Sequence, residues 1–458
     1  MKAFFTLGVA IATALSAPLA AQDIVITNAT VATGDGSEPL ENTSVVIRDG
    51  RIASVGVGTA DANATVIDGT GMWVTPGLFS AVTTLGLWDV GAVSQSNDQS
   101  AGDSAFSAAL DVAPALNPAS QHVAVSRAGG VTRASIFSAP SSSIFGGQGA
   151  IVDLGADPTM VVRPRAFQMI ALGERGARLA GGARTASHTL LRNALAEARD
   201  FGASGRIPGA ASTRRDLRTG DDLPIDPRLA GSGAQRGDDV LLTRFDAAAL
   251  VPVVNGSQPL YIAVERASDI REALALKRDF PRLDLVLVGA SEGWLVADEI
   301  AAASVPVIAD PLDDLPSSFE QVAATQSNVG RMVAAGVTVA IGGFTNGIVQ
   351  PRNAPQYAGN LVALSRVPGA TGLTWGQAFA TITSVPAKIA GYGGRFGVLA
   401  PGAAGDVVIW NGDPLELSSA PVRVFIDGVD QPLTNHQTRL RDRYRDLDQS
   451  ELPKAYDW

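Results

Sequence analysis

Residues 74–86 read VTPGLFSAVTTLG, and this stretch decides how the rest of the chain is interpreted. A β-branched pair, a Pro-Gly corner and an alternating apolar run predict a short strand that begins just after a turn. Side chains two residues apart in a strand point to the same face, so Val82 and Thr84 share one face. Valine has no atom that binds a metal, and a neutral threonine hydroxyl is a poor ligand.

The same stretch resembles the first barrel strand of the amidohydrolase superfamily, which usually reads PGLID-x-H-x-H. The similarity runs from about residue 23 to residue 429 and is closest to the imidazolonepropionase-like branch. It includes IALGE at 170–174, RASDI at 266–270 and SVPAKIAGYGGRFGVLAPGAAGDVVIWNGDPLE at 384–416. The resemblance implies an α/β fold, a (β/α)8 TIM-like barrel with a composite β-sandwich, and a site at the carboxyl ends of the barrel strands.

Active relatives hold a divalent metal such as zinc with histidines, an aspartate and, in some members, a carboxylated lysine. In this chain the corresponding positions are Val82, Thr84, Met169, Ala263, Gly289 and Phe344. None of the expected ligands is present. The resemblance therefore implies that the metal cofactor has been lost, and we expect these six residues to surround a largely apolar ligand pocket.

The histidine content leads to the same expectation. A histidine-built metal centre needs several imidazoles in one place. The chain has only His122, His188 and His436, which precede a helix, begin a helix and belong to the tail, respectively. We expect each of them to be solvated or to act as a local cap.

Two carboxylates remain as candidate catalytic residues. Glu265 lies two residues after Ala263, hence on the same strand face, and Asp310 follows the apolar run VPVIA. Such a pair could act as general acid and base, or could bind a hard cation through oxygen atoms. In the alternative interpretation, Glu265 pairs with Arg266 or Arg163, and Asp310 caps the next turn.

The order of predicted elements indicates the domain organisation. Both chain ends contain short alternating strands, whereas strands and helices alternate between them, which favours a parallel sheet closed into a barrel. An open doubly wound sheet is the alternative, but the glycine cluster at 146–149 leads into a strand and is predicted to be a turn. The expected segments are a signal peptide at 1–21, sandwich parts at 22–73 and 396–433, the barrel at 74–395 and a charged tail at 434–458.

Composition limits the compartment and the partners. The formal net charge of −10 and the pI near 4.9 argue against nucleic acid as a partner. The first residues, MKAFFTLGVAIATALSAPLAAQ, have the charge, apolar run and small-residue exit of a secretory signal peptide, which predicts export to the periplasm. No later segment is a transmembrane candidate. The absence of cysteine excludes disulfides and thiolate chemistry.

These observations support three hypotheses about function. The first is an exported, metal-free and catalytically degenerate protein that binds a small ligand or a partner, within a lineage of hydrolases acting on C–N bonds other than peptide bonds. The second is an active amidohydrolase that uses Glu265 and Asp310 in an unusual oxygen-ligand site. The third is a structural subunit of a complex with an active paralogue. The expected partners are a small-molecule ligand and either a second copy of the chain, in a homo-oligomer, or a paralogous amidohydrolase.

Overall fold

The computed structural model describes residues 23–56, 64–204, 241–342 and 350–445. The strands are β1 (Ile24–Val31), β2 (Leu40–Arg48), β3 (Arg51–Gly56), β4 (Thr65–Asp68), β5 (Trp73–Pro76), β6 (Leu78–Thr83), β7 (Val131–Ile136), β8 (Phe145–Asp153), β9 (Val161–Ala171), β10 (Leu260–Val264), β11 (Leu285–Gly289), β12 (Val307–Ala309), β13 (Val339–Ile341), β14 (Val407–Trp410), β15 (Pro421–Ile426) and β16 (Val429–Asp430). The predicted signal peptide and Phe344 lie outside the described residues.

The strands form two sheets, and several of the α-helices contact the one that contains β6 to β13. The α-helices are α1 (Gln121–Ala128), α2 (Gly173–Leu179), α3 (Arg184–Ser204), α4 (Arg244–Val254), α5 (Ala267–Asp279), α6 (Ala297–Ala302), α7 (Asn328–Ala334), α8 (Ala354–Ala363), α9 (Trp375–Ala380), α10 (Ser384–Ile389) and α11 (His436–Tyr444). Helix α11 forms the described part of the tail and begins with a capping box at Asn435 and Thr438. Within the described ranges, no helix is long and apolar enough to cross a bilayer.

The first sheet is assembled from both ends of the chain. Its order is β16-β15-β14-β5-β1-β2-β3, and β4 also pairs with β1. Strands β2 and β3 are joined by Asp49 and Gly50, both at positive φ, the conformation that a tight hairpin turn of an Asp-Gly pair requires. The sheet has its own apolar core, which includes Ile26, Ile47 and Phe425. The prediction that both termini build one β domain is therefore confirmed, whereas the domain limits stay a prediction.

The second sheet is a nearly closed barrel of eight strands, in the order β13-β12-β11-β10-β9-β8-β7-β6. This confirms the predicted fold class. One strand departs from the strict (β/α)8 pattern, because β8 runs antiparallel to both β7 and β9. Only residues 137–144 connect β7 to β8, and so short a connection cannot hold the crossover helix that a parallel pair needs.

The glycine cluster at 146–149 lies inside β8, so its prediction as a turn was wrong. The glycines serve close packing instead. A Cβ at Gly149 would overlap the ring of Phe167 on β9, and a Cβ at Gly147 would overlap the backbone of Leu110. A sequence pattern cannot distinguish these two uses of glycine, because both depend on what lies beside the strand.

A buried ion pair connects the barrel to the first sheet. Arg133 of β7 is 3% exposed and donates from Nε and a terminal nitrogen to both carboxylate oxygens of Asp406, at 2.7 and 2.9 Å. A second bridge of 2.8 Å reaches Asp427. The guanidinium also lies 4.3 Å from the ring centre of Phe396. Although burial lowers the pKa of Arg133, Asp406 and Asp427 outweigh it and raise the pKa above its usual value.

Candidate functional site

Val82 and Met169 lie in the apolar interior of the barrel. Both are fully buried. They belong to one cluster contributed by the inward faces of the strands, with Phe79, Ala81, Phe167, Tyr261, Val286, Val288, Ile308 and Ala340. These two positions, which the resemblance aligned with expected metal ligands, contribute to the packing of the core.

A bulge in β6 explains how Val82 reaches this interior. The strand pairs Ser80 with Ala134 and then Thr83 with Ile136, so β6 has one residue more than β7 between the two pairs. The extra residue reverses the alternation of faces, and Ala81 and Val82 therefore both join the inner cluster.

Thr84 and Ala263, two further positions of the expected pocket, lie at the carboxyl ends of β6 and β10. Thr84 is 2% exposed, and its hydroxyl donates to Oε1 of Gln99 at 3.0 Å. Ala263 belongs to β10, and its carbonyl accepts from the backbone N–H of Leu172 at 2.9 Å. Neither contact leaves a group suited to a divalent metal.

Gly289 and Glu265 occupy one space at the carboxyl ends of β10 and β11. A Cβ at Gly289 would overlap the carboxylate of Glu265, and Gly289 has a φ of +93°, which favours glycine. The expected ligand position at the end of β11 thus has no side chain, and the carboxylate of Glu265, which follows β10, extends into it. The sequence predicts that both residues lie at the carboxyl end of the barrel, here called the mouth. The structure brings them together there.

Ser291 holds the carboxylate of Glu265. Its backbone N–H donates to Oε2 at 2.9 Å and its hydroxyl is 2.7 Å from the same oxygen. The hydroxyl also lies 3.1 Å from Asp313 and accepts from Nε2 of Gln321 at 3.1 Å. Glu265 and Asp313 are therefore connected through one serine.

The expectation that Glu265 pairs with Arg266 was wrong, because Arg266 donates to Asp269 at 2.9 Å. Asp269 also accepts from Arg184 at 2.9 Å, and Arg184 in turn contacts Glu320 at 3.2 Å. Arg266 and Arg184 are therefore bound to other carboxylates, and the described residues show no salt bridge between Glu265 and Arg163 either.

The surroundings raise the pKa values of the mouth carboxylates. Burial raises the pKa of Glu265 to about 7; the hydrogen bonds from Ser291 oppose this shift, and the charges of Glu320 and Asp313 add to it. Burial also raises the pKa of Asp313, and the charge of Asp310 raises it further. At neutral pH, Glu265 is therefore close to its own pKa and can gain or lose a proton.

Asp310 follows β12 and does not form the predicted cap. Within the described ranges its Oδ2 atom is buried without a hydrogen-bond partner. Burial raises the pKa of Tyr357, and the negative charge of Asp310 raises it further. The charge of Asp310 also raises the pKa of Asp313, whereas no hydrogen bond joins Asp310 to Glu265 among the described residues.

The three histidines are far from forming a common site. His122 contacts the carbonyl of Asp89 at 2.9 Å and stacks on Trp88 with ring centres 3.8 Å apart. His188 lies in α3, where burial lowers its pKa. His436 is exposed at the start of α11.

The donor set does not fit a catalytic divalent metal. Valine, methionine, alanine and glycine occupy four of the expected ligand positions. Across residues 23–56, 64–204, 241–342 and 350–445, no three His, Cys, Asp or Glu side chains converge to hold a metal ion. Glu265 is bound by a serine, and one glutamate with a second carboxylate is a poor site for zinc, which prefers nitrogen and sulfur ligands.

Sequence reasoning missed Ser291, Asp313 and Gln321. Ser291 belongs to the sequence ASEG at 290–293, directly after β11, a position at which barrel proteins place functional residues. Asp313 and Gln321 lie in a loop without regular periodicity, so no sequence signal placed them beside Glu265.

Known proteins resemble this chain in both sequence and fold. Residues 268–429 match the family model described as the amidohydrolase family. A 60-residue segment is 43% identical to amidohydrolase tasK of Hapsidospora irregularis, covering 13% of this chain and 6% of that protein's length.

Two solved structures share the fold over most of their lengths. An amidohydrolase from Thermotoga maritima superposes with a TM-score of 0.71 at 22% identity, covering 89% of this chain and 99% of the other. Molinate hydrolase superposes with a TM-score of 0.50 at 17% identity, covering 90% and 95%. At these identities, the superpositions establish the shared fold.

Proposed function

The chain belongs to the amidohydrolase superfamily, and we propose that it is a metal-free member which binds a small ligand at the carboxyl end of its barrel. One observation carries the proposal. The carboxylate of Glu265 lies where a side chain on residue 289, the expected ligand position at the end of β11, would begin, and Gly289 leaves the space for it. Val82 of β6 and Met169 of β9 are meanwhile part of the packed core.

The mouth suits a ligand that donates hydrogen bonds or carries positive charge. Ser291 binds Oε2 of Glu265, while Oδ2 of Asp310 has no donor among the described residues. Asp313 adds a third carboxylate close to Ser291. Hydrogen bonds between charged partners are stronger than neutral ones, so a cationic group would gain most from this arrangement.

A second function is supported by the protonation state of Glu265. A carboxyl group with a pKa of about 7 can act as general acid and general base at neutral pH. This observation favours a hydrolase that uses Glu265 and Asp310 without histidine ligands. Such an enzyme would need another way to activate water, because it would lack the metal that lowers the pKa of bound water to about 7.

Metal content and turnover distinguish the two functions. We expect purified protein to contain far less than one equivalent of zinc or manganese, because the ligand positions carry no donors. We also expect no turnover of amide, lactam or dipeptide substrates above background, with or without added metal. The checks are elemental analysis and product formation, with an active amidohydrolase as the positive control. Metal-dependent turnover that disappears in Glu265→Gln or Asp310→Asn would establish the hydrolase instead.

We propose export to the periplasm on the basis of the first 22 residues. If the apolar run is a cleaved signal, the exported protein begins within a few residues of Gln22. Intact-mass analysis of the periplasmic fraction measures this directly. A variant with Ala20 and Ala21 both changed to Arg is the matched control and should retain Met1. Exported wild-type protein that still carries Met1 would contradict the proposal.

A further inference from the structure

Three glutamines form a polar cluster on the outer face of the barrel. Gln148 of β8 and Gln168 of β9 are direct partners across the antiparallel pair. On the other side, Gln168 pairs with Leu260 of β10, and Gln258 lies two residues before that leucine. Because Met169 and Tyr261 point into the barrel, the neighbouring residues Gln168 and Leu260 point outward.

The amides of this glutamine cluster have fewer hydrogen bonds than they can make. Gln148, Gln168 and Gln258 are 6%, 0% and 3% exposed. Nε2 of Gln258 donates to the carbonyl of Arg165 at 2.8 Å and lies 3.4 Å from Oε1 of Gln148. Oε1 of Gln258 and both amide atoms of Gln168 have no partner among the described residues. Leaving a buried amide atom without a hydrogen bond is unfavourable, and a ligand that donates to Oε1 of Gln258 would remove that cost.

A cavity of about 350 Å³ opens beside two of these glutamines. Its polar wall consists of Gln148, Arg165, Ser257 and Gln258. Much of its apolar wall comes from helix α4, through Phe245, Ala249 and Pro252. A concave space with apolar sides and a few converging polar groups is the usual form of a small-molecule site.

The backbone is strained at Arg165, which lies at the edge of the cavity and contacts the glutamine cluster. Arg165 has a φ of +50°, an uncommon conformation for a residue with a side chain. Its carbonyl accepts from Gln258, and its Nε donates to Asp111 at 2.8 Å. Strained backbone persists where surrounding contacts hold it, and such positions cluster at binding sites.

We propose that this cavity is a second ligand site, for a small uncharged planar molecule with a lactam or primary amide edge. Such an edge has one donor beside one acceptor and therefore complements a glutamine amide, which can present either its oxygen or its nitrogen. The apolar wall from α4 receives the ring. Gln258 precedes β10 and Glu265 follows it, about 20 Å apart along an extended strand, so this site does not depend on the function of the mouth.

The test uses 2-pyridone, a planar lactam, and N-methyl-2-pyridone, which keeps the shape but lacks the donor. Binding to the full-length protein is measured by ligand-observed NMR titration. We expect 2-pyridone to bind and the methylated compound to bind at least about tenfold more weakly, since one lost hydrogen bond corresponds to about that factor.

Two variants locate the binding. Gln258→Leu removes the amide, and Ala249→Phe fills the cavity from α4 without changing any glutamine; both should weaken 2-pyridone binding at least about tenfold. Gln95→Leu, at an exposed glutamine, is the control and should bind as the wild type does. Thermal unfolding verifies that each variant is folded.

Two binding results would contradict the proposal. If the wild type does not bind 2-pyridone, or if Gln258→Leu and Ala249→Phe bind it unchanged, the proposal is wrong. Unchanged binding in Glu265→Gln separates this site from the mouth.

Discussion

Replacing Arg133 with methionine is expected to lower the free energy of unfolding by about 3–5 kcal/mol. The cost comes chiefly from the partner that remains. Asp406 is 2% exposed and would keep a buried carboxylate without its bidentate cation, while a methionine of similar length would fill most of the space. The stacking on Phe396 would also be lost.

Urea denaturation followed by tryptophan fluorescence measures this loss. Arg271→Met is the matched control, because Arg271 and Glu299 form an exposed pair with side chains 52% and 48% exposed. Exposed pairs contribute about 0–1 kcal/mol, so this variant should change the urea midpoint little. A cost for Arg133→Met no larger than that of Arg271→Met would contradict the assignment.

A double variant tests the physical cause. Adding Asp406→Asn to Arg133→Met removes the unpaired charge while keeping an oxygen that can accept from the backbone N–H of Asp427, a bond of 2.9 Å in the native protein. The double variant should therefore be more stable than Arg133→Met alone. Such non-additivity is what a direct interaction between two residues produces.

Glu265→Gln is expected to stabilise the protein at pH 8 by about 3 kcal/mol and to have little effect near pH 4. The pKa of Glu265 is raised from 4.5 to about 7 on folding. Between these values the folded state keeps a proton that the unfolded state has lost, so the wild type loses stability as the pH rises. Each pKa unit corresponds to about 1.4 kcal/mol, and glutamine, which does not titrate, avoids this loss.

The measurement is the free energy of unfolding of both proteins between pH 4 and pH 9. Glu41→Gln, at an exposed position of β2, is the control and should follow the wild type at every pH. A stability difference between wild type and Glu265→Gln that is independent of pH would show that Glu265 does not titrate in the expected range.

Ligand binding gives the same variant a second readout. If Glu265 is kept at the mouth for binding, Glu265→Gln should gain stability and lose affinity for a cationic probe. With n-butylammonium at pH 8, we expect binding at least about tenfold weaker than in the wild type, because a charge-assisted hydrogen bond contributes about 1.5–3 kcal/mol. The neutral isostere n-butanol should not distinguish the two proteins. Equal affinity of both proteins for n-butylammonium would place the ligand elsewhere.

Much of the architecture follows from local pattern. The Pro-Gly corner and the apolar run at 74–86 predicted β6, and an Asp-Gly pair such as that at 49–50 is typical of the hairpin turn that the structure contains. The union of both chain ends was also predictable, since two short β segments with exposed edges gain stability by pairing. Residue identity alone likewise showed that Val82, Ala263 and Gly289 offer no metal ligands, because ligand chemistry belongs to the side chain itself.

Other features depend on neighbours that are distant in the chain. The reversed direction of β8, the bulge that turns Val82 inward and the glycine that makes room for Phe167 all arise where two strands meet. Glu265 was visible as a candidate, but its partner Ser291 is 26 residues away and its raised pKa comes from burial and surrounding charge. The sequence by itself determined the fold class and the absence of the usual ligands, because these follow from periodicity and side-chain chemistry. Only the tertiary structure decided what the remaining polar groups contact, because burial and electrostatic environment are created when distant segments pack together.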